Sequence, residues 1–349
     1  MPATPERSKA TTSLLLNMSM FLKPWHWPAG RPHQRKGSAD SIGRVHEEDD
    51  ADERNPGDAV CKSRRRNGAA LMPLLVPACE ADLPRPLITG AVTVEIGGLP
   101  ILLDTNDPGF RKILEKRYAG FLNPSAAPAC RFEIELISAR EPADEDVRVF
   151  RRGSTWCLQR GDFRAEWDLR RREGWIRQCA NPYSIDSVLR ITHSLLLAME
   201  GGFQAHASSA IRNSRAFLFA GVSGAGKTTT VSMAPSDAVV LTDEISYVRR
   251  VESNYRAYGT PFAGELARPG ANASAPVQRV CLLKQGPQNC LRPVRRAAAI
   301  RALMRHVLFF AQDSELVERV LDSVVQFVSS VEVMEMEFTP DRRAWELVQ

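Results

Sequence analysis

The segment GVSGAGKTTT, residues 221–230, carries the clearest chemical signal in this 349-residue sequence. Its spacing fits GxxxxGK[ST], a pattern typical of loops that wrap the phosphates of a nucleotide. Such a loop turns its backbone N–H groups inward, and glycine permits the backbone angles that this requires. The predicted phosphate-binding residues are Gly221, Ser223, Gly224, Ala225, Gly226, Lys227, Thr228 and Thr229.

Two residues of this segment suit a nucleoside triphosphate and its metal ion. Lys227 supplies a flexible cation for the β- and γ-phosphates, and the Thr228 hydroxyl is a hard oxygen ligand for Mg²⁺. The helix expected to begin at Lys227 adds the positive end of its dipole. Pro235 predicts that this helix ends within about two turns. Thr228 is therefore a predicted metal ligand.

An acidic pair, Asp243 and Glu244, begins sixteen residues after Lys227. Residues 238–241 (AVVL) predict a buried strand that ends in this pair. Ligands of α/β sheets bind at the carboxyl ends of strands, so the pair is expected on the metal side of the phosphates, with Asp243 as the second metal ligand. The alternative is an acidic pair that only faces water.

The residues on either side of the loop predict a core built around it. Residues 207–211 and 215–220 predict two strands joined by a polar turn, and the second strand leads into the loop. His206 lies at the start of the first strand. Further along, residues 298–310 and 315–328 have helical apolar spacing, which predicts packing helices and places His306 in the core.

The chain before the loop predicts a β-rich lobe followed by a helix. Gly97-Gly98 indicates a hairpin, residues 108–122 predict a helix, and the later strands predict antiparallel pairing. These strands are expected at residues 131–137, 147–150, 156–159, 163–169 and 175–179. Trp156, Trp167 and Trp175 either pack in the core or line a ligand surface. Ser184 is the expected N-cap of the next helix, in which His193 has no predicted role.

Composition limits the classes of partner and the cellular compartment that are expected for this protein. The net charge of +5 is spread along the chain, which does not favour nucleic acid as a partner. Seven widely spaced cysteines without a C-x-x-C pair indicate reduced thiols in a cytoplasmic protein, and no apolar run is long enough for a membrane span. Residues 1–70 are rich in Pro, Ser, Arg and Asp and predict a disordered N-terminal extension, with a basic interaction tail as the alternative.

Together, His206, the GVSGAGKT loop and the acidic pair resemble the catalytic domain of the HPr kinase/phosphorylase family and its HPr-kinase-related members. That family's P-loop core is similar to phosphoenolpyruvate carboxykinase. The resemblance implies ATP and Mg²⁺ as cofactors and an α/β P-loop fold. It also implies that His206 lies near the active site and that Asp243 binds Mg²⁺. Either Glu244 or Asp243 is then the general base toward a seryl hydroxyl.

The sequence departs from this family at two positions. Glu244 stands where the family has a second aspartate, and Thr229 stands where its bifunctional members have glutamate. Residues 258–265 (YGTPFAGE) and the FTPDRRAWELV segment from Phe338 resemble the HPr-kinase-related members. Glu265 in the first of these segments is a weaker candidate for a residue that reaches the phosphates.

These observations predict an α/β protein with three regions: a disordered extension (1–70), a β-rich α+β lobe (87–182) and a P-loop kinase-like catalytic domain (183–349). The predicted catalytic residues are Asp243, Glu244, Lys227 and His206. The expected activity is transfer of the γ-phosphate of ATP to a hydroxyl, Ser by preference, of a small protein or peptide. The alternative is a nucleotide-binding regulatory module without transfer. Neither nucleic acid nor membrane is an expected partner, and a homo-oligomer stays open.

Overall fold

Two β-sheets and five α-helices make up the part of the chain that the computed structural model describes, residues 90–138 and 146–349. This is a mixed α/β architecture with few helices. The strands of the first sheet fall within residues 91–178, and those of the second within residues 203–338. The extension predicted for residues 1–70 lies outside the described residues.

The first sheet has seven strands in the order β1-β2-β3-β7-β6-β5-β4. The strands are β1 (Ala91–Ile96), β2 (Leu99–Thr105), β3 (Cys130–Leu136), β4 (Arg148–Arg152), β5 (Thr155–Arg160), β6 (Phe163–Asp168) and β7 (Glu173–Gln178). The predicted hairpin is confirmed, because β1 pairs antiparallel with β2 and both turn glycines have positive φ, +65° at Gly97 and +68° at Gly98. The five later strands lie within a few residues of their predicted positions.

The predicted antiparallel pairing is confirmed for β4-β5, β5-β6 and β6-β7. It is wrong for β3, which pairs parallel with β2 and with β7. A parallel pair needs a crossover, and helix α1 (Pro108–Arg117) supplies it between β2 and β3. The Asp107 carboxylate caps α1 by accepting the Phe110 N–H at 2.6 Å. The helix is shorter than predicted, because the Tyr118 backbone leaves the helical region at φ −109° and a 3-10 helix (Ala119–Phe121) follows.

Helix α2 (Pro182–Met199) connects the two sheets and is buried over most of its length. Its N-cap is Asn181 and not Ser184, because Asn181 Oδ1 accepts the N–H groups of Tyr183 at 2.8 Å and Ser184 at 3.2 Å. Pro182 takes the first helical position, where its missing N–H costs nothing. The cap at Asn181 places the next charged positions of the helix, Asp186 and Arg190, in the interior.

His193 on α2 is fully buried, with its ring nitrogens 2.8 Å from the Leu189 carbonyl oxygen and 3.1 Å from that of Leu99. Burial lowers the pKa of this imidazole to about 4 and outweighs the two carbonyls, which favour the cation. The unfolded chain then binds a proton at His193 more readily than the folded one. The contribution of His193 to stability is therefore fully present above about pH 6.5 and is lost as the pH falls toward 4.

We therefore predict that His193→Leu reduces the acid sensitivity of folding. Between pH 7.5 and pH 5.0 the His193 contribution falls by about 2 kcal/mol, and the variant should lose that much less than the wild type over this interval. Urea unfolding at both pH values gives the decrease in the free energy of unfolding for the wild type and for the variant. A destabilisation by the substitution that does not depend on pH cancels in this comparison. Equal losses in the two proteins would contradict the prediction.

The second sheet has nine strands, five of which close into a ring. The strands are β8 (Phe203–Arg212), β9 (Arg215–Ala220), β10 (Val239–Thr242), β11 (Ile245–Val251), β12 (Asn254–Tyr258), β13 (Ser274–Gln285), β14 (Cys290–Pro293), β15 (Val307–Leu308) and β16 (Glu332–Phe338). The ring runs β8-β9-β13-β12-β11 and back to β8. Because β8 also pairs with β10, it lies between the strand that leads into the glycine-rich loop and the strand that leads into the acidic pair.

The helices of the C-terminal half are α3 (Lys227–Ser232), α4 (Arg296–Met304) and α5 (Ser314–Ser330). Helix α3 is as short as Pro235 predicts, and α5 confirms the helix expected at 315–328. The helix predicted over 298–310 ends at Met304, because residues 307–308 pair with β8 as β15. This pairing brings His306 beside His206, whose N–H donates to the His306 carbonyl at 2.7 Å. The placement of His306 inside a core helix is therefore wrong.

Three further sequence observations concern the described residues. Trp156 and Trp167 are each 1% exposed and belong to the core, while Trp175 is half-buried. The five cysteines in the described ranges are free thiols. Within those ranges, no helix is both long and apolar enough to cross a membrane.

Candidate functional site

The glycine-rich loop joins β9 to α3, and its backbone takes conformations that suit glycine. Gly224 has φ +78° and Gly226 has φ +101°. A Cβ on Gly226 would lie 2.7 Å from Cζ of Phe338, and a Cβ on Gly221 would lie 2.7 Å from Cβ of Ala225. The loop closes on itself through the Ala225 N–H, which donates to the Val222 carbonyl at 3.1 Å. Glycines at the predicted positions thus let the loop fold tightly.

Because alanine at Gly226 would meet both the strained φ and the Phe338 ring, we predict that Gly226→Ala lowers the free energy of unfolding by about 2 kcal/mol and weakens nucleotide binding. Gly120→Ala is the matched control, since a Cβ there meets no atom within 4 Å and its φ is ordinary. Urea unfolding and a nucleotide titration measure both effects. Equal stability of the two variants would contradict the strain at Gly226.

Helix α3 is supported from three directions. The Ser208 hydroxyl on β8 donates to the Lys227 carbonyl at 3.0 Å. The Thr230 hydroxyl donates to the Gly226 carbonyl at 2.8 Å, and the Trp345 indole N–H donates to the Thr230 carbonyl at 2.8 Å. Thr230 is fully buried and Trp345 is 3% exposed. The start of the helix is therefore fixed by its own loop, by β8 and by the C-terminal segment.

Lys227 folds back along the loop and is 8% exposed. Its ammonium donates to the carbonyls of Gly221 at 3.1 Å and Val222 at 3.3 Å. Burial lowers the pKa of Lys227, and the carboxylates of Glu265 and Glu244 oppose that shift. The structure thus places the predicted phosphate cation at the loop, with two carboxylates close enough to act on its charge.

Asp243 holds the segment that contains Glu265. The acidic pair lies where β10 passes into β11, alongside β8. Asp243 is 4% exposed, and its carboxylate accepts the N–H groups of Gly264 at 2.9 Å and Leu266 at 2.8 Å. Glu265 lies between these two bound amides. Asp243 therefore has a structural task that the sequence did not reveal, in addition to its predicted place beside the metal.

Glu244 is half-buried and faces a buried arginine that sequence reasoning missed. The Arg190 guanidinium on α2 lies 3.7 Å from the Glu244 carboxylate, with side-chain exposures of 4% and 18%. Burial raises the pKa of Glu244, as do the Asp243 and Asp186 carboxylates, whereas Arg190 and Lys227 oppose the shift. No spacing pattern in the sequence marks Arg190, because it is brought to the acidic pair only by the packing of α2.

His206 and His306 form a pair of imidazoles beside Lys227. Burial and the Lys227 charge lower the pKa of His206 to about 3, with a further contribution from His306. Burial and Lys227 also lower the pKa of His306 to about 4. Both rings are therefore neutral near pH 7. His206 was predicted at the site, whereas His306 was missed, because its approach depends on the β15 pairing.

The other predicted binding residues lie on and around the loop. Thr228 is half-buried at the start of α3, whereas Ser223, Gly224 and Thr229 are exposed, and Gly221 and Ala225 are buried. The structure thus gathers Lys227, His206, Glu244 and Asp243 around β8. It leaves Thr229 on the outer side of α3.

The donor set suits Mg²⁺ that arrives with phosphates. Mg²⁺ prefers oxygen ligands and often takes only one or two of them from the protein. The Thr228 hydroxyl and the Asp243 carboxylate fit this set, since a carboxylate has about four lone-pair sites and two amides leave capacity free. In residues 90–138 and 146–349, no group of three or more His, Cys, Asp or Glu side chains could hold a metal by itself.

Residues 183–336 match a family model, that of the SynChlorMet cassette protein ScmC. This match includes the loop, the acidic pair, Arg190 and His306, and it spans less than half of the chain. Among solved structures, the chain is similar to the Hpr(Ser) kinase/phosphatase from Coxiella burnetii at 8% identity, over 34% of this chain and 87% of that chain. The TM-score is 0.21, too low for an inference about the fold. No curated protein matches the sequence.

Proposed function

We propose that this protein is an ATP-dependent phosphotransferase that phosphorylates a hydroxyl, preferably of Ser, on a small protein or peptide. The observation that carries the proposal is the placement of Lys227 on the glycine-rich loop, within electrostatic reach of Glu244 and beside the strand junction that holds Asp243. Phosphoryl transfer requires positioning and charge stabilisation more than covalent chemistry. The loop, the lysine and the acidic pair are the parts that such a reaction uses.

The loop and Lys227 would bind the triphosphate. The Lys227 ammonium exchanges its contacts with the Gly221 and Val222 carbonyls for phosphate oxygens, which are stronger acceptors. Backbone N–H groups of the loop and the first turn of α3 add donors toward the same anion. This charge is worth most as the transition state forms, because negative charge then spreads over the transferred oxygens.

Thr228 and Asp243 are the residues that would hold Mg²⁺. The ion neutralises phosphate charge when it is bound. Asp243 also fixes residues 264–266, so the residue that would bind the metal is connected to the segment that contains Glu265.

Glu244 is the proposed general base. It is half-buried, 3.7 Å from the Arg190 guanidinium and within electrostatic reach of Lys227. A carboxylate in this place can accept the proton of the acceptor hydroxyl as its oxygen attacks the γ-phosphorus. The bond from that phosphorus to the bridging oxygen of the β-phosphate breaks, and ADP leaves. His206 is neutral there, and its ring can accept or donate a single hydrogen bond to the reacting groups without adding a positive charge.

The direct test uses ATP labelled at the γ-phosphate, Mg²⁺, the purified protein and an extract of the source organism. Transfer of label to one peptide or small protein, at a serine identified by mass spectrometry, would support the proposal. Label released only as inorganic phosphate, with no labelled acceptor in any fraction, would count against it.

One observation favours a second function, a nucleotide-binding module that regulates without transfer. Both oxygens of Asp243 already accept backbone N–H groups, as is common for a purely structural carboxylate. This alternative predicts saturable Mg²⁺-dependent ATP binding, no labelled product, and an affinity that is the same in wild type and Glu244→Gln. A labelled acceptor would remove it.

A further inference from the structure

Arg190 is a buried cation next to the acidic pair, and neither the loop motif nor the family match assigns it a role. Its side chain is 4% exposed, and its Cζ lies 4.4 Å from the centroid of the Phe262 ring. Burying a guanidinium is costly unless a carboxylate and an aromatic face compensate for the lost water. The groups that surround Arg190 therefore indicate how its burial is compensated.

The nearest acidic side chain on the same helix is already engaged. Asp186, one turn before Arg190, is 1% exposed and accepts the Tyr118 hydroxyl at 2.6 Å as well as the Arg117 guanidinium. Asp186 still attracts Arg190 electrostatically. Its hydrogen-bonding oxygens, however, face α1 and Tyr118. The Glu244 carboxylate lies within ion-pair distance of Arg190.

The Phe262 ring fixes the guanidinium on its other side. Phe262 is 1% exposed and lies two residues before Gly264, whose N–H is bound by Asp243. The ring that supports Arg190 and the amides that hold Asp243 therefore belong to one short segment. Arg190 is held between α2 and this segment, at 3.7 Å from Glu244, which is longer than a direct hydrogen bond.

We propose that Arg190 is the positioning residue for Glu244: its guanidinium, which packs on the Phe262 ring, fixes where the Glu244 carboxylate meets the acceptor hydroxyl. The proposal rests on the proposed function and adds a residue to its machinery. Arg190 does not touch the phosphates in this role. It acts through the carboxylate that it faces.

A double-mutant cycle tests this role. In the labelled-ATP assay, Arg190→Met should lower kcat by about a hundredfold with a change in KM for ATP of less than about threefold, comparable with Glu244→Gln alone. The double variant should be no slower than the slower single variant, because a residue that acts through Glu244 has nothing left to position. Arg190→Lys keeps the charge but not the planar fork, and should recover part of kcat.

Arg131→Met is the matched control. Arg131 pairs with Asp104 at 2.5 Å in the first sheet, so the variant loses an arginine–carboxylate pair away from the loop. Its kcat should equal that of the wild type, also in combination with Glu244→Gln. If the Arg190→Met and Glu244→Gln effects multiply, or if Arg190→Lys is no faster than Arg190→Met, the positioning role is wrong.

A readout without turnover separates this inference from the proposed function. Thermal unfolding of the same variants should give a higher Tm for Arg190→Met/Glu244→Gln than for Arg190→Met, because the second change removes a half-buried carboxylate that has lost its cation. If Arg190→Met does not fold, Arg190→Lys and Arg190→Lys/Glu244→Gln replace it in the comparison. If the protein shows this coupling in Tm but transfers no phosphate, the proposed activity is wrong and the Arg190–Glu244 interaction is supported. If the two Tm changes are additive, the Arg190–Glu244 interaction is wrong.

Discussion

Replacing Lys227 with Ala should reduce phosphoryl transfer on the order of a thousandfold or more. The ammonium is the cation that the loop itself supplies, and it is already held at the loop by the Gly221 and Val222 carbonyls. Removing it takes away the positive charge that would offset the negative charge of the transferred phosphoryl group in the transition state. Nucleotide affinity should fall as well, because the same contact exists before the transition state.

Labelled transfer and a fluorescent-nucleotide titration measure the two effects of Lys227→Ala. Lys112→Ala is the control, because Lys112 is an exposed lysine on α1 and its loss should leave both values unchanged. The far-ultraviolet circular dichroism spectrum checks that the variant is folded. If Lys227→Ala transfers phosphate at the wild-type rate, the proposal that the loop belongs to the active site is wrong.

Replacing Asp243 with Asn should likewise lower transfer on the order of a thousandfold, and it should also lower the free energy of unfolding by about 1–3 kcal/mol. The carboxylate accepts one amide on each of its oxygens. In asparagine one of these positions becomes an NH₂ group, so a donor meets the N–H of Gly264 or Leu266. The segment with Glu265 loses one anchor while the metal loses a charged ligand.

Asp168→Asn is the control for replacing a carboxylate by an amide. The Asp168 carboxylate also accepts two backbone N–H groups, those of Arg170 at 2.8 Å and Arg171 at 3.0 Å, but both bonds go to Oδ1, and the residue belongs to the first sheet. Asparagine can keep both bonds with its carbonyl oxygen, so this control should lose little stability and transfer phosphate at the wild-type rate. If Asp243→Asn is as active as Asp168→Asn at a temperature where both are folded, Asp243 is structural, and the regulatory alternative gains weight.

The parts of the site that sequence could predict are local. The spacing of Gly221, Gly226 and Lys227 is read within one segment, and the loop indeed joins a strand to a helix that is cut short before Pro235. The position of the acidic pair directly after a strand is also local, because the strand and the pair lie in one segment. Roles in catalysis, and the binding of ATP and Mg²⁺, stay predictions for the experiments above.

What sequence could not predict depends on pairings between distant residues. The parallel contact of β3 with β7 joins strands separated by an intervening meander, and no alternation pattern distinguishes it from an antiparallel one. His306 reaches His206 only because a two-residue strand pairs with β8 where helical spacing suggested a continuous helix. In the sequence, Arg190 is indistinguishable from a solvent-exposed polar position of an amphipathic helix, because its burial depends on packing against both faces of α2.

The Trp345 indole donates to the Thr230 carbonyl across 115 positions of sequence. Arg212, at the end of β8, strengthens this connection by donating to the carbonyls of Trp345 at 2.7 Å and Val348 at 2.9 Å. During synthesis, the glycine-rich loop therefore emerges from the ribosome long before the segment that supports its helix. A nascent chain that ends before Trp345 therefore has the glycine-rich loop but lacks the indole that holds the helix after it.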